Sequence, residues 1–369
     1  MKILRNYILK DFFSVFVFSL LILNMVMLLG NLVKISDLAI RKGMNIFDAI
    51  KIFSFFIPVL LQYTIPLSFL MGLLLVMGRL IADNEIIAMR VAGISLIKIL
   101  NIFLILGVMF VLFLFILNDR IIPEFHYRYR NHIKNIYSKN VTALIEPGVF
   151  LENFQNYILY VGDKNENKLK NVFIYELDEK EGTSKVTFAK QGEFIVEGNT
   201  LNIKLEDGFR DEAVSKEKKE LYRLNFKRWF MYIPIQEKEK TEINKKPGDM
   251  SLRELHEKMR RLKKLGIDLK KDDTPLELVT EFHKRINLSF SVITFIIVGF
   301  GVSLVVKHRE KSINFGIAFF IAVIYYLLRI LGETLVEYRL VIPSLGMWLP
   351  NIIIISVGGY LILKHAHLR

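Results

Sequence analysis

The run FFSVFVFSLLILNMVMLLGNLV, residues Phe12 to Val33, carries no charged side chain over 22 positions. As a helix rising about 1.5 Å per residue it covers the ~30 Å hydrocarbon core of a bilayer, so it reads as a membrane span. Working outward, similar runs follow at Ile52 to Met77, with Pro58, Gln62 and Pro66 inside it, and at Ile99 to Leu117. After about 170 residues of soluble composition come Ile286 to Val306, Ile313 to Leu331 and roughly Val341 to Leu363, the last interrupted by Pro343 and Pro350. The pattern predicts a polytopic α-helical membrane protein with six transmembrane helices, three in residues 1–118 and three in 286–369. One extramembrane region, 119–285, is inserted between helices 3 and 4.

Lys and Arg fix the orientation, because loops facing the cytoplasm carry the positive excess. Lys2, Arg5 and Lys10 precede span one; Arg79, Arg90 and Lys98 separate spans two and three; Lys307, Arg309 and Lys311 separate four and five; Lys364 and Arg369 follow six. With six spans all four groups share one side, which places both termini in the cytoplasm and the insert outside. Lys34, Arg41, Lys42 and Lys51 break the rule at the first external loop. The amino-terminal apolar run lacks a small-x-small cleavage site and reads as a retained anchor.

The net charge of +13 does not point to nucleic acid. Residues 119–285 hold 33 Lys and Arg against 29 Asp and Glu, so most of the excess flanks the spans, where anionic headgroups attract it. Cysteine is absent, which removes disulfides and thiol chemistry. His365 and His367 alone do not make a metal site, and no nucleophile and base pair stands out.

From about 142 to 235 the pattern turns to short β-branched and aromatic runs bounded by Gly, Asn and Asp: Tyr157 to Val161, Asn171 to Tyr175, Lys185 to Ala189, Glu193 to Val196, Leu201 to Leu205 and Leu221 to Tyr232. Strands at this spacing predict an all-β sandwich or jelly-roll-like domain. Alternate residues such as Ile158 and Tyr160, or Phe194 and Val196, either form its core or line a groove. Ser251-Leu252-Arg253-Glu254 is a capping-box signature that opens a helix with Leu252, Leu255, Met259 and Leu262 on one face, ended by Gly266. A second helix from Pro275 feeds span four, so residues 250–285 form a helical connector.

Between spans two and three, Gly78 to Ser95 mixes apolar and charged residues. Ile81, Glu85, Ala88 and Ala92 fall near one helical face and Leu80, Ile87 and Val91 on its neighbour, which fits a helix of three or four turns over residues 79–95 at the membrane surface. Periodicity leaves two roles open: an interfacial support, or a docking element that passes force to the adjoining spans.

The string from Arg79 to Ser95, Arg-Leu-x-x-Asp-Asn-Glu-Ile-x-Ala-x-Arg-x-Ala-Gly-Ile-Ser, resembles the coupling-helix region of the lipopolysaccharide-export permeases, the LptF/LptG family. Tyr7-Ile8-Leu9-Lys10, the two prolines of span two, Asn118-Asp119 with Pro123, Glu146 to Phe150 and Trp348-Leu349-Pro350-Asn351 extend the resemblance along the chain.

The resemblance implies a half-transporter of an ABC-type machine in the inner membrane, with its jelly roll in the periplasm. Its implied partners are a cytoplasmic ATPase dimer like LptB and a paralogous six-helix permease. A bitopic jelly-roll protein like LptC and a periplasmic bridge like LptA complete the set. The chain has no Gly-x-x-x-x-Gly-Lys-Ser/Thr loop, so ATP and magnesium are expected on the ATPase and no cofactor on this chain.

By the same resemblance Glu85, with Asp83 and Arg90, would contact the ATPase; an exposed carboxylate beside Arg79 or Arg90 is the plainer alternative. Lys34, Arg41 and Lys42 would bind lipopolysaccharide at the outer mouth of span one, unless Asp37 and Asp48 neutralise them. Arg329 and Glu333, four residues apart, share a face of span five and are expected to pair; a substrate contact stays open. Rival readings are another lipid or lipoprotein ABC permease, which would usually place its external domain between spans one and two, and a membrane-anchored sensor or scaffold, which would carry a cytoplasmic signalling module.

Overall fold

The computed structural model describes the chain apart from residues 1, 43–44, 140–146, 155–156, 166–167, 178–183, 198–199, 214–220, 235–244, 266–272, 307–310 and 367–369. Among the described residues six helices are long and apolar enough to cross a membrane. They are carried by α1 (Lys2–Lys42), α2 (Ile46–Ala82), α4 (Leu96–Ile116, continued by a π-helical turn, Leu117–Ile121, into α5, Ile122–Lys139), α7 (Asp273–Val305), α8 (Lys311–Glu337) and α9 (Pro343–Ala366). The short helices α3 (Glu85–Val91) and α6 (Leu252–Lys264) complete the set. The prolines of spans two and six do not end their helices. Pro58 and Pro66 lie inside α2, and α9 opens at Pro343, where a missing N–H has no consequence, and runs on through Pro350.

The chain divides into two compact units. In the helical unit α2 and α7 are central. One apolar cluster joins Phe69, Leu73 and Met77 of α2 to Phe12 and Phe16 of α1, Phe103 of α4 and Ile296 of α7. A second joins Leu70, Met71 and Leu74 of α2 to Phe295 and Val298 of α7 and Ala318, Ala322 and Tyr325 of α8. In lipid, helices associate through close packing rather than through water exclusion, which favours small residues at contacts. The α7–α9 crossing shows it: a Cβ added at Gly358 would meet the Val298 Cα at 2.6 Å. Two polar contacts are enclosed there, Asn351 Nδ2 donating to the Asn287 carbonyl at 3.2 Å and Tyr325 Oη to Asn287 Oδ1 at 3.3 Å.

The second unit contains one six-stranded antiparallel sheet in sequence order: β1 (Phe150–Phe154), β2 (Tyr157–Asn165), β3 (Lys168–Leu177), β4 (Ser184–Glu197), β5 (Thr200–Ala213) and β6 (Leu221–Pro234). The all-β, jelly-roll-like insert between helices 3 and 4 is therefore present. A line of residues folds it. Gly162, Asn171, Lys190 and Asp207 fall in register across β2 to β5, and Asn171 and Asp207 take left-handed φ values of 51° and 50°. Asn and Asp tolerate that conformation better than other side chains. It reverses the pleat: on β3, Val172 and Ile174 are buried on one side of Asn171 and Leu169 on the other, an odd spacing that a regular strand would send to opposite faces.

Both halves of the strands thereby turn apolar residues into a single core, including Leu159, Val161, Val172, Ile174, Phe194, Ile203 and Leu205. Arg210 lies 5.6 Å from the Trp229 ring, although its register partner is Leu224, five residues away, about 17 Å along a flat strand. Folding of the sheet shortens that path. On the other face Phe150, Tyr160, Phe173, Phe188 and Phe209 pair directly across five strands, with centroid separations of 4.6 to 6.0 Å. Arg223 caps the row at 4.2 Å from Phe209.

Candidate functional site

The segment between spans two and three differs from the expected three- or four-turn helix. Residues 79–82 belong to the end of α2, and α3 holds seven residues. Asn84 breaks the helix with a left-handed φ of 57°, and Gly93, at φ 79°, ends α3. Ile94 N–H donates to the Met89 carbonyl at 2.9 Å and Gly93 N–H to that of Arg90 at 3.0 Å, the paired closure of a Schellman motif. A positive φ favours glycine, so this sharp stop needs Gly93.

Ile86 and Met89 face inward, in the same cluster as Leu80 and Leu96. The outward stripe is Ile87, 60% exposed, and Val91, 85% exposed, with Ala88 and Ala92 beside them. Asp83 is exposed and Arg90 half-buried.

Glu85 starts α3 and is tied to two spans. Tyr7 Oη on α1 donates to Glu85 Oε1 at 2.9 Å, and Arg79 Nη2 at the end of α2 donates to Tyr7 Oη at 3.0 Å. The Arg79 guanidinium also lies over the Tyr7 ring, 5.2 Å from its centroid, and pairs with Asp11. Tyr7 and Asp11 are one helical turn apart and so present both groups on one face of α1. The plainer alternative set the Glu85 carboxylate beside Arg79 or Arg90; Tyr7 stands between it and Arg79. Neither Tyr7 nor Asp11 was assigned a role from the sequence, where Tyr7 entered only through the family resemblance; a usable signal was their i, i+4 spacing near the same ends of the spans as Arg79.

At the opposite end of the spans, the expected Arg329–Glu333 pair is replaced by two other contacts. Glu333 Oε1 accepts from Lys284 Nζ on α7 at 2.8 Å, and Lys284 also lies 3.8 Å from Glu281. Arg329 lies over the Tyr63 ring of α2, 5.2 Å from its centroid. A shared helical face brings Arg329 and Glu333 together, but each meets a better-placed group on a neighbouring helix. Lys34, Arg41 and Lys42 sit on the last turns of α1, and their side chains lie outside the described residues. Among the described residues no three His, Cys, Asp or Glu side chains converge as a metal site would require.

The connector is fastened to the ends of spans three and four that adjoin the insert. Arg285, the residue before the apolar run of span four, is buried and donates to the carbonyls of Met250, Pro247 at 3.0 Å and Gly248 at 2.9 Å. His126 Nδ1 meets Asp249 Oδ1 at 2.8 Å, and Asp119 Oδ1 accepts from Leu252 N–H at 2.7 Å. The capping box expected at Ser251 and Glu254 is present. Burial raises the Glu254 pKa, but bonds from Lys245, at 2.6 Å, and Ser251 outweigh it and hold the carboxyl below its usual range.

A family model for the lipopolysaccharide export system permease LptF/LptG matches residues 6–364. The chain belongs to that family. No curated protein sequence matches it. As an LptF/LptG permease it is a multi-pass inner-membrane transport subunit rather than an enzyme, with a role in lipopolysaccharide export. The match spans the bundle, the inserted sheet and the Gly78–Ser95 hairpin together, so the tie between Glu85 and spans one and two lies inside the region that defines the family.

Proposed function

We propose that this permease is the membrane half of an ATP-driven lipopolysaccharide extractor and that α3 is where the ATPase pushes. The observation that carries this reading is the attachment of α3. Its outward stripe of Ile87, Ala88, Val91 and Ala92 is exposed, while Glu85 at its start is bonded through Tyr7 and Arg79 to α1 and α2. A seven-residue helix held at both ends by fixed turns moves as a rigid lever, so force on its exposed face reaches two spans at once.

The positive-inside distribution supports a cytoplasmic position for this hairpin and both termini, with the sheet in the periplasm. The ATPase dimer binds ATP and magnesium, and a second six-helix permease completes the pair. Lipopolysaccharide enters between the spans, with Lys34, Arg41 and Lys42 at the outer mouth attracting its anionic groups. It passes to the folded sheet and on to a jelly-roll partner and a periplasmic bridge.

Glu85→Ala tests this reading. A charge-assisted bond is worth about 1.5–3 kcal/mol, so recovery of the ATPase with the tagged chain should fall about tenfold or more while membrane insertion is unchanged. Unchanged recovery would remove α3 as the docking element. Mass spectrometry of the wild-type preparation should find an ATPase, a second permease and lipopolysaccharide.

A further inference from the structure

Helix α6 carries more positive charge than its fold requires. Between Leu252 and Lys264 there are six Lys and Arg and two Glu, and both glutamates are engaged, Glu254 by Lys245 at 2.6 Å and Glu257 by Arg253 at 3.1 Å. Lys258, Arg260, Arg261, Lys263 and Lys264 have no acidic partner among the described residues. Compensating a helix C-terminus needs about half a charge, whereas like charges at i, i+3 and i, i+4 oppose each other by a few tenths of a kcal/mol per pair. His256, Met259, Arg260, Lys263 and Lys264 line one shallow concavity along a single stripe of the helix. The adjoining stripe is packed: Leu252 and Leu255 are buried with Leu278, Leu262 and Phe282 close around them, and Met259 borders both stripes.

Position decides what this stripe can reach. The start of α6 is held at the bilayer boundary by Asp119, at the outer end of span three, and by Arg285, immediately before the apolar run of span four. From there α6 packs along the pre-span part of α7. Arg260 to Lys264 lie eight to twelve residues beyond Leu252, about 12–18 Å farther out at 1.5 Å per residue. The phospholipid headgroup layer is about 5–8 Å thick on each side. With α6 directed away from the bilayer, that length along its axis would lift the cations above this layer, to the height of the saccharide of a glycolipid.

We propose that the Arg260–Lys263–Lys264 stripe of α6 binds anionic phosphate groups borne on the saccharide of lipopolysaccharide, holding the polar head as its lipid leaves the bilayer. This rests on the export reading above. The test uses the full chain with its permease and ATPase partners in proteoliposomes, with the photocrosslinker p-benzoylphenylalanine at exposed Leu265. Lipopolysaccharide should crosslink there, and phosphatidylglycerol should not. Each charge near an anionic surface is worth about fivefold in affinity, so the triple variant R260E/K263E/K264E should lower the adduct by about tenfold or more, as should phosphatase-treated lipopolysaccharide.

The three side chains face solvent, so folding should survive; the neutral variant R260Q/K263Q/K264Q should give an intermediate yield. Equal adducts with phosphatidylglycerol, or with dephosphorylated lipopolysaccharide, would overturn the proposal. So would absence of an adduct in vesicles that still export the glycolipid. Absence of both adduct and export would instead sink the export reading and this proposal with it.

Discussion

Helices α2 and α7 bury 78% and 67% of their most apolar stretches inside the chain, whereas α1 and α8 bury 17% and 28%. Apolar content does not predict the difference, since the α1 stretch is the more apolar of the first two. Lipid tails are as apolar as leucine, so hydrophobicity places a helix in the membrane but not in the bundle. What attaches the outer helices is local. The lower part of α1 inserts Ile8, Phe12 and Phe16 against α2 and α4, and its end is tied by Tyr7 and Asp11 to Arg79. Helix α8 is held by Ala318, Ala322 and Tyr325 and by two polar ties, Lys284 to Glu333 and Tyr326 Oη to the Tyr63 carbonyl at 3.1 Å.

The largest effect should come from the apolar wedge of α1. Phe12 is fully buried, with Phe69 at 4.6 Å and Phe103 at 5.6 Å between ring centroids. Phe12→Ala should destabilise the detergent-solubilised chain by about 3 kcal/mol, the lower end for such truncations, read as a fall in the thermal midpoint. A shift no larger than that of a surface variant would mean that α1 is attached by something other than this wedge.

Next come the polar ties. Tyr7→Phe keeps the ring under Arg79 and removes the bonds to Glu85 and from Arg79, so it should lower the thermal midpoint by less than Phe12→Ala does. In the assembled transporter it should separate ATPase capture, retained through Glu85, from lipid-stimulated turnover, reduced. Loss of both together would show that Tyr7 only orients Glu85 for docking. For α8 a double-mutant cycle between Lys284→Met and Glu333→Gln should return a coupling of up to ~1 kcal/mol, since the pair is partly exposed. The Arg329→Met and Glu333→Gln cycle should return less than about 0.3 kcal/mol. The reverse ranking would restore the pair expected from the i, i+4 spacing.

These contrasts follow the limits of what could be read from the chain. Six spans and an inserted β region were legible because uncharged runs of about 20 residues, and short runs bounded by turn residues, leave few alternatives. The ends of α3 and the fold line of the sheet were not. Asn84, Asn171 and Asp207 each adopt a left-handed conformation that Asn and Asp tolerate but do not require. Tyr7 and Glu85 are 78 residues apart and meet only once α1 and α2 have packed. The proposal of Glu85 as a docking residue came from the likeness of the Arg79–Ser95 string to a known family; its bond to Tyr7 needed the fold. Arg329 shows the converse: a correct local neighbour, Glu333, lost to an aromatic ring on another helix.

The smallest effect belongs to the other face of α1. Phe18 is six residues from Phe12 on the same helix and 67% exposed. Phe18→Ala removes the same ring from a largely exposed site, so the thermal midpoint of the solubilised chain should correspond to a change within ~0.5 kcal/mol. A fall approaching that of Phe12→Ala would erase the distinction between the two faces and require the outer surface of α1 to be packed within the single chain. A neutral result in the isolated chain together with a lower yield of the two-permease complex would sharpen it. The exposed stretch of α1 would then be reserved for the second subunit, and its low burial would mark an interface rather than a lipid-facing wall.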